Sequence, residues 1–286
     1  MRKLSTLSTA LLVGVLALAS AGCDKLKSRD HINKGASAFK NAKYADAVEE
    51  FKQAAALDPS NPNARLYLGA SYMVQWIPGA ESPENLEFAT KAREQFQQVI
   101  EKDANDKAAL TTAYSSLGSM AYNQAQSLPQ DQKLAKFEEA AKWNSELIKV
   151  DPQNKDAYYF LGVIAYQKFH PADMIARVNA KMKPEEPGPF KDKKVRDELR
   201  GQYASILDEG IANLNKALEV DKEYEDAMAY LNLLIREKAD LLDDKDEYPK
   251  QIEVADQWLQ KALDTRKAKT ARAAAKGNQG ITQDSQ

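Results

Sequence analysis

The stretch from residue 30 to residue 62, DHINKGASAFKNAKYADAVEEFKQAAALDPSNP, constrains the fold of this chain more than any other. It places small and aromatic residues at intervals that bring them to one face of each of two short helices. Small residues allow the helices to approach closely, a large ring fills the space between them, and a proline ends the second helix. The stretch therefore predicts a helix hairpin. The residues that carry this pattern are Gly35, Ala38, Tyr44, Ala47, Phe51, Ala54 and Pro59.

This spacing resembles the tetratricopeptide repeat, and Gly69 follows Gly35 by one period of that repeat. The resemblance covers residues 30–267 and implies an all-α solenoid, a right-handed superhelix of antiparallel helix pairs with about five repeats. An irregular helical bundle is the alternative fold. The predicted repeats lie near residues 28–61, 62–106, 111–154, 155–224 and 225–267.

Two insertions interrupt the predicted repeats. The first contains Pro78 and Gly79 and is expected to loop out between the two helices of the second repeat. The second, residues 169–200, interrupts the fourth repeat, and it is the least generic part of the sequence. It is predicted to begin at His170-Pro171, to form a short helix, and to break in a proline-rich segment. The predicted apolar face of that short helix consists of Met174, Ile175, Val178 and Met182.

The C-terminal part of the chain is predicted to contain a long helix and then a tail. Apolar residues recur at helical intervals from about Asp192 to Val220, which predicts the long helix. After Leu263 the apolar pattern ends, and residues 268–286 are predicted to be a disordered tail.

The N-terminus has the features of a secretory signal. A basic start, an apolar run too short to span a bilayer and a group of small residues precede Cys23, the single cysteine. The arrangement resembles a bacterial lipoprotein signal. The resemblance implies that residues 1–22 are removed, that Cys23 is lipidated, and that residues 23–29 form a tether to the repeats.

An ordinary secretory signal is the alternative interpretation. Ser20 stands where lipoprotein signals usually carry leucine, and ordinary cleavage would leave Cys23 as a free thiol. Under the lipoprotein interpretation we expect a location in the cell envelope, membrane-anchored and facing the periplasm. Asp24 favours the inner membrane under the enterobacterial sorting rule, but the choice between inner and outer membrane stays open.

The sequence shows no pattern that points to catalysis. Its two histidines, His31 and His170, belong to no catalytic motif, and it contains no HExxH, GxSxG or phosphate-loop motif. The acidic run from Asp240 to Asp246 lacks the spacing of a calcium loop and is predicted to be a solvated turn. With 40 basic against 42 acidic residues, general nucleic-acid binding is not expected. We therefore expect no enzyme activity, no cofactor and no metal. Enzyme activity stays a weaker alternative, which would gain support only if the insertion ordered a pocket around His170.

Recognition of a protein partner is the expected function. In the tetratricopeptide family the first helix of each repeat lines a concave face on which a partner segment lies. For any single residue on these helices, packing between repeats is the alternative role. By position, the resemblance places on that face Leu66, Met73, Tyr122, Asn123, Tyr159 and Tyr166.

The sequence thus predicts a non-enzymatic protein-protein interaction scaffold. In this interpretation it is a lipid-anchored envelope protein that assists assembly of a membrane or secretion complex. The alternative is a secreted soluble periplasmic adaptor that recruits a cell-wall enzyme or a polymer ligand. The partner's identity and the oligomeric state stay open.

Overall fold

A computed structural model describes residues 3–183 and 186–283, with side chains described for 22–130, 132–183 and 186–275. Within these ranges the chain forms ten α-helices and no strand. The helices are α1 Lys3–Lys40, α2 Tyr44–Leu57, α3 Pro62–Met73, α4 Pro83–Lys102, α5 Lys107–Ser127, α6 Gln130–Val150, α7 Lys155–Asn179, α8 Lys193–Val220, α9 Glu225–Ala239 and α10 Glu247–Gln283.

The chain divides into two compact units, and each is described by itself. Unit 1 ends at Trp143 and unit 2 begins at Asn144. In unit 1, α1 packs on α2 and α3 packs on α4, while α5 packs against both α3 and α4. In unit 2, α7 packs on α8 and α9 packs on α10. Both units are therefore built from consecutive helix hairpins.

Glycines opposite large side chains allow the hairpins of unit 1 to close. A Cβ atom added to Gly35 would lie 2.7 Å from the Phe51 ring, and one added to Gly69 would lie 2.8 Å from the Phe96 ring. Both rings are almost fully buried. Glycine is therefore the residue that lets each ring lie directly against the backbone of the first helix. In unit 2, Gly162 faces Leu214 in the same way.

The insertion of the second repeat is an ordered loop in unit 1. It occupies residues 74–82, between α3 and α4. The buried Asn85 side chain donates to the carbonyl oxygens of Ile77 and Ala80, each at 2.8 Å, and accepts from the Ile77 N–H at 2.7 Å. Because one amide satisfies three backbone groups, the loop is held against the start of α4.

The second insertion differs from the sequence prediction in its first part. No separate short helix forms there, because α7 continues through His170 and Pro171 as far as Asn179. Ile175 and Val178 are exposed, whereas Asp173 and Arg177 are buried, so these two residues of the predicted apolar face point away from the core. Of the other two, Met174 lines a pocket and Met182 is partly buried against the core. The proline removes one helical hydrogen bond. The buried contacts of the prolonged helix offset that loss.

The middle of the insertion, the segment 180–192, is non-helical at residues 180–183 and 186–192, and Pro184 and Glu185 lie outside the described residues. Phe190 anchors it, since its ring is buried and its N–H donates to the carbonyl oxygen of Asp240 at 3.1 Å. Helix α8 then begins at Lys193, close to the predicted Asp192, and Asp192 caps it by accepting from the Lys194 N–H at 2.8 Å.

The predicted tether and tail are both helical where they are described. Residues 23–29 lie within α1, and the buried Ser28 hydroxyl donates to the carbonyl oxygen of Ala54 at 2.9 Å. At the other end, α10 continues to Gln283, whereas the sequence predicted a disordered tail from residue 268. Lys269 and Arg272 pair with Glu225 and Glu223 beside the start of α9, which explains why the helix persists. Residues 284–286 lie outside the described range.

Among the residues whose side chains the structure describes, no helix offers an apolar stretch that is long enough to cross a membrane.

Candidate functional site

The predicted partner residues of unit 1 differ in their surroundings. Leu66 is buried in the core, and Met73 is partly buried against that core, so for Leu66 the structure favours the packing alternative. The Tyr122 ring lies 5.9 Å from the Phe137 ring, and Asn123, next to it on α5, is exposed. Of these four side chains, Asn123 is the most accessible to a partner.

The two predicted partner residues of unit 2 belong to a tyrosine cluster. The Tyr159 ring lies 5.1 Å from the Tyr224 ring and 5.6 Å from the Tyr230 ring. Tyr166 lies 5.7 Å from Tyr230 and stacks on His170 at 4.8 Å. Burial raises the pKa of Tyr166 to about 12, so its hydroxyl stays protonated at physiological pH. Tyr166, at one end of the cluster, and its stacking partner His170 also line a pocket.

We call this pocket the acidic pocket. It lies in unit 2, has a volume of about 420 Å³, and is formed by α7, α9, the start of α10 and the segment 180–192. A volume of this size suits a small ligand or one side chain of a larger ligand. Its polar wall is made by Tyr166, His170, Asp173, Arg177, Glu237 and Asp240.

Arg177 is the centre of a buried ion-pair network in this wall. Its Nε donates to Asp173 Oδ2 at 2.8 Å, and its Nη2 donates to Asp240 Oδ2. Its Nη1 donates to the carbonyl oxygen of Glu186 at 2.8 Å, and the guanidinium lies 5.6 Å from the centre of the Phe190 ring. One arginine therefore joins α7, α9 and the segment 180–192.

His170 and Glu237 form a second pair in the same wall. His170 Nδ1 lies 2.6 Å from Glu237 Oε1, within hydrogen-bonding distance. Burial raises the pKa of Glu237 to about 7, although His170 acts in the opposite direction. The hydrogen bond to Glu237 raises the pKa of His170. Burial also raises the pKa of Asp240 to about 6 and raises the pKa of Asp173, because Arg177 compensates desolvation only in part.

Two carboxylate oxygens in the pocket wall have no hydrogen-bond partner. They are Asp173 Oδ1 and Glu237 Oε2, and both atoms are buried. Asp173 is 3% exposed and Glu237 is 8% exposed, so solvent reaches neither residue freely. A buried acceptor without a partner costs free energy, and the pocket is therefore suited to a hydrogen-bond donor.

These pH-sensitive groups lead to a prediction about stability. In the unfolded chain Glu237 loses its proton near the ordinary glutamate pKa of 4.5, whereas in the folded chain it does so near 7. Between these values the folded state binds the additional proton, so the free energy of unfolding falls as pH rises. The raised pKa of His170 extends the decline above the ordinary histidine value of 6.5, and the raised pKa of Asp240 acts in the same direction at lower pH. We expect unit 2 to lose about 1–3 kcal/mol between about pH 5 and pH 8.

The measurement is urea denaturation of the full chain over this pH range, with Glu237→Gln as the variant. Besides Glu237, His170 and Asp240, further titratable side chains line the pocket, among them Asp173, Arg177, Arg236, Tyr166 and Tyr248. Glutamine keeps an acceptor for His170 and removes the titrating group, so the decline is expected to become shallower. The exposed Glu198→Gln is the matched control, and an equal flattening in the control would contradict the assignment to Glu237.

The site could not be assigned from the sequence, because its charged residues are expected at the surface and are buried in the structure. Asp240 opens the acidic run that was predicted to be solvated, yet it is 4% exposed and bonded to Arg177, so the prediction is wrong for this residue. Asp243, in the same run, is half-exposed and pairs with Arg196 and Arg200. The available signal was the spacing of Asp173 and Arg177, which lie one helical turn apart, as in a helical ion pair. Among the residues that the structure describes, no cluster of His, Cys, Asp and Glu is arranged to hold a metal ion.

Comparison with known proteins identifies the fold. A family model described as TPR repeat matches residues 38–75. A solved structure of a MamA RS-1 double mutant is 16% identical, covers 86% of this chain and 97% of its own, and superposes with a TM-score of 0.52. A crystal structure of MamA is 17% identical over 83% of this chain and 96% of its own, with a TM-score of 0.50.

A third solved structure, of YrrB, is described as a TPR protein with an unusual peptide-binding site. It is 16% identical over 86% of this chain and 90% of its own, with a TM-score of 0.42. No curated protein sequence matches the chain significantly. The helix hairpins, the repeat match and the two MamA superpositions together confirm the prediction of an all-α tetratricopeptide solenoid.

Proposed function

We propose that this chain is a non-enzymatic scaffold, anchored by lipid in a bacterial cell envelope, that assists assembly of a membrane or secretion complex by binding a protein partner. The observation that carries the proposal is the repeated hairpin, in which a glycine of the first helix receives a large side chain of the second. Stacked hairpins of this kind use one set of positions for packing and leave other surfaces of the helices free for recognition. In unit 1, Asn123 is such a surface residue.

The position of Cys23 supports the anchoring part of the proposal. Cys23 is exposed on α1, and among residues 22–40 of that helix the first buried residue is Ser28, which is hydrogen-bonded to α2. An acyl group on Cys23 would therefore not disturb the hairpin packing. A lipid chain provides membrane attachment without a spanning helix. The envelope location and the choice between inner and outer membrane belong to this proposal.

A secreted soluble adaptor, which recruits a cell-wall enzyme or a polymer ligand, is the second candidate. Ser20 favours it, because this position usually carries leucine in lipoprotein signals. The two candidates differ in whether the thiol of Cys23 is modified after export.

Metabolic labelling with palmitate distinguishes the two candidates. We expect the wild type to be labelled and to sediment with membranes, and Cys23→Ser to lose both properties. If the wild type is exported, shortened and unlabelled, the lipid anchor is excluded and the soluble adaptor is supported.

Site-specific photo-crosslinking in cells tests the scaffold part of the proposal. A photoreactive amino acid at Asn123, on α5, is compared with one at Glu94. Glu94 is an exposed residue of α4, the second helix of the α3–α4 hairpin. We expect one discrete adduct from position 123 and none from position 94. Equal adducts from both positions, or none from position 123, would contradict partner binding by the first helices.

A further inference from the structure

We propose that the acidic pocket of unit 2 binds a primary ammonium group carried on a short alkyl chain, as in a lysine side chain or a free alkylamine. Where the ligand is a lysine side chain of the protein partner, the inference rests on the proposed function, because the pocket is then the site that contacts this lysine. Five described side chains carry the argument: Asp173, Glu237, Asp240, Arg177 and His170.

Two buried acceptors in the pocket have no hydrogen-bond partner. Asp173 Oδ2 accepts from Arg177 and Glu237 Oε1 is bonded to His170, while Asp173 Oδ1 and Glu237 Oε2 are buried with no donor. Both residues line the same cavity. An ammonium group has three N–H donors and no acceptor, so one such group carries enough donors for both oxygens and one further acceptor.

The charge of the pocket wall also favours a cation. Its three buried carboxylates, Asp173, Glu237 and Asp240, are opposed by Arg177 and, when it is protonated, by His170. With every group ionised, the wall carries one uncompensated negative charge. A bound cation neutralises that charge, and a buried charge is tolerated only when it is paired.

Other charged groups at the pocket rim do not supply this cation. Arg236 donates to Asn232 Oδ1 at 2.8 Å and pairs with Asp256 on α10. The Glu186 carboxylate accepts from the Lys183 N–H at 3.3 Å and lies 3.5 Å from the Lys191 ammonium nitrogen. In the structure neither rim residue donates to the two oxygens, which have no hydrogen-bond partner.

The apolar part of the wall favours an alkyl chain on the cation. Met174, Leu233 and Ile252 line the cavity together with the acidic groups. These apolar side chains can pack against the methylene groups of the ligand, while the carboxylate oxygens of Asp173 and Glu237 bind its ammonium group. Together with the volume of about 420 Å³, this combination selects an alkylammonium over a compact inorganic cation.

Histidine NMR provides a direct test because the chain has only two histidines. His170 reports on the pocket. His31, in unit 1, pairs with Glu50 at 2.7 Å and serves as an internal control. The full chain, labelled at histidine, is titrated with n-butylammonium and separately with butan-1-ol. We expect a saturable shift of the His170 ring signals with the amine alone, while the His31 signals stay unchanged.

Two variants test which residues hold the ammonium group. Asp173→Asn and Glu237→Gln each remove one acceptor charge, and each is expected to weaken n-butylammonium binding about tenfold or more. Glu198→Gln, an exposed substitution on α8, is expected to leave binding unchanged. The unchanged His31 signals show that a variant remains folded in unit 1, and circular dichroism checks its total helix content. If Asp173→Asn unfolds unit 2, Glu237→Gln alone decides the test.

A comparison of ligands distinguishes the two sources of the ammonium group. Tighter binding of a blocked Gly-Lys-Gly peptide than of n-butylammonium indicates a lysine of a protein partner, and equal or weaker binding indicates a free amine. The inference is overturned if the amine causes no His170 shift, or if butan-1-ol causes the same shift. An adduct at position 123 that persists in Glu237→Gln would show that the scaffold function stands independently of the pocket.

Discussion

Replacing Arg177 with methionine is expected to reduce the free energy of unfolding of unit 2 by about 3–5 kcal/mol near neutral pH. Methionine has a similar reach and fills much of the same volume, so the change removes mainly the charge and the donors. Asp173 and Asp240 then lose their common partner while both remain buried. The carbonyl oxygen of Glu186 also loses its donor, which releases the segment 180–192.

The magnitude of this loss depends on pH in a defined direction. Burial raises the pKa of Asp240 to about 6 and also raises the pKa of Asp173, so acid protonates these carboxylates readily. A protonated carboxyl group needs no cation. The destabilisation by Arg177→Met is therefore expected to be smaller near pH 5 than near pH 8.

Urea denaturation, combined with hydrogen exchange that resolves the two units, measures this effect. The triple variant Arg177→Met, Asp173→Asn, Asp240→Asn removes the whole network and is expected to recover most of the stability. Arg177→Lys keeps the charge without the planar fork and is expected to lie between wild type and Arg177→Met. If the triple variant is as unstable as Arg177→Met, packing of Arg177 on Phe190 rather than charge explains the loss.

Replacing Phe96 with alanine is expected to destabilise unit 1 by about 3–5 kcal/mol. The Phe96 ring is 1% exposed and lies against the backbone of Gly69, so its removal leaves a cavity inside the α3–α4 hairpin. Neighbouring helices cannot collapse freely into this space, because α3 and α4 also pack against α5.

A double-mutant cycle with Gly69→Ala tests whether Gly69 is required because the Phe96 ring packs against it. In the wild-type background the added Cβ would lie 2.8 Å from the ring, and a cost of about 1–3 kcal/mol is expected. In the Phe96→Ala background the ring is gone, so Gly69→Ala is expected to cost little. Additive losses in the double variant would show that the glycine has another role.

The hairpins could be predicted from the sequence because their pattern is local. Gly35 and Phe51 lie in neighbouring helices of one repeat, and the periods of the small and large residues identify both helices without knowledge of the rest of the chain. The predicted long helix from about Asp192 agrees with α8 for the same reason. The prediction was wrong where tertiary contacts outweigh a local signal. Pro171 suggested a break in the helix, but buried residues on both sides of it keep α7 intact.

The partner-binding prediction depended on position alone, and positions do not report burial. Leu66 and Asn123 occupy first helices, yet Leu66 is a core residue and Asn123 is exposed. Cys23 is a different case, because its importance came from a processing signal in the sequence. The structure adds that this residue is exposed on α1.

By itself, then, the sequence determined an all-α chain of helix hairpins and the close approach of the helices within each hairpin, because both follow from spacings inside a single repeat. Only the tertiary structure decided that a buried ionic pocket exists. Arg177 and Asp240 are 63 positions apart, and His170 and Glu237 are 67 apart. In sequence these residues look like ordinary surface charges. Packing α9 against α7 buries them together, and desolvation makes two unpaired carboxylate oxygens a place for a cation.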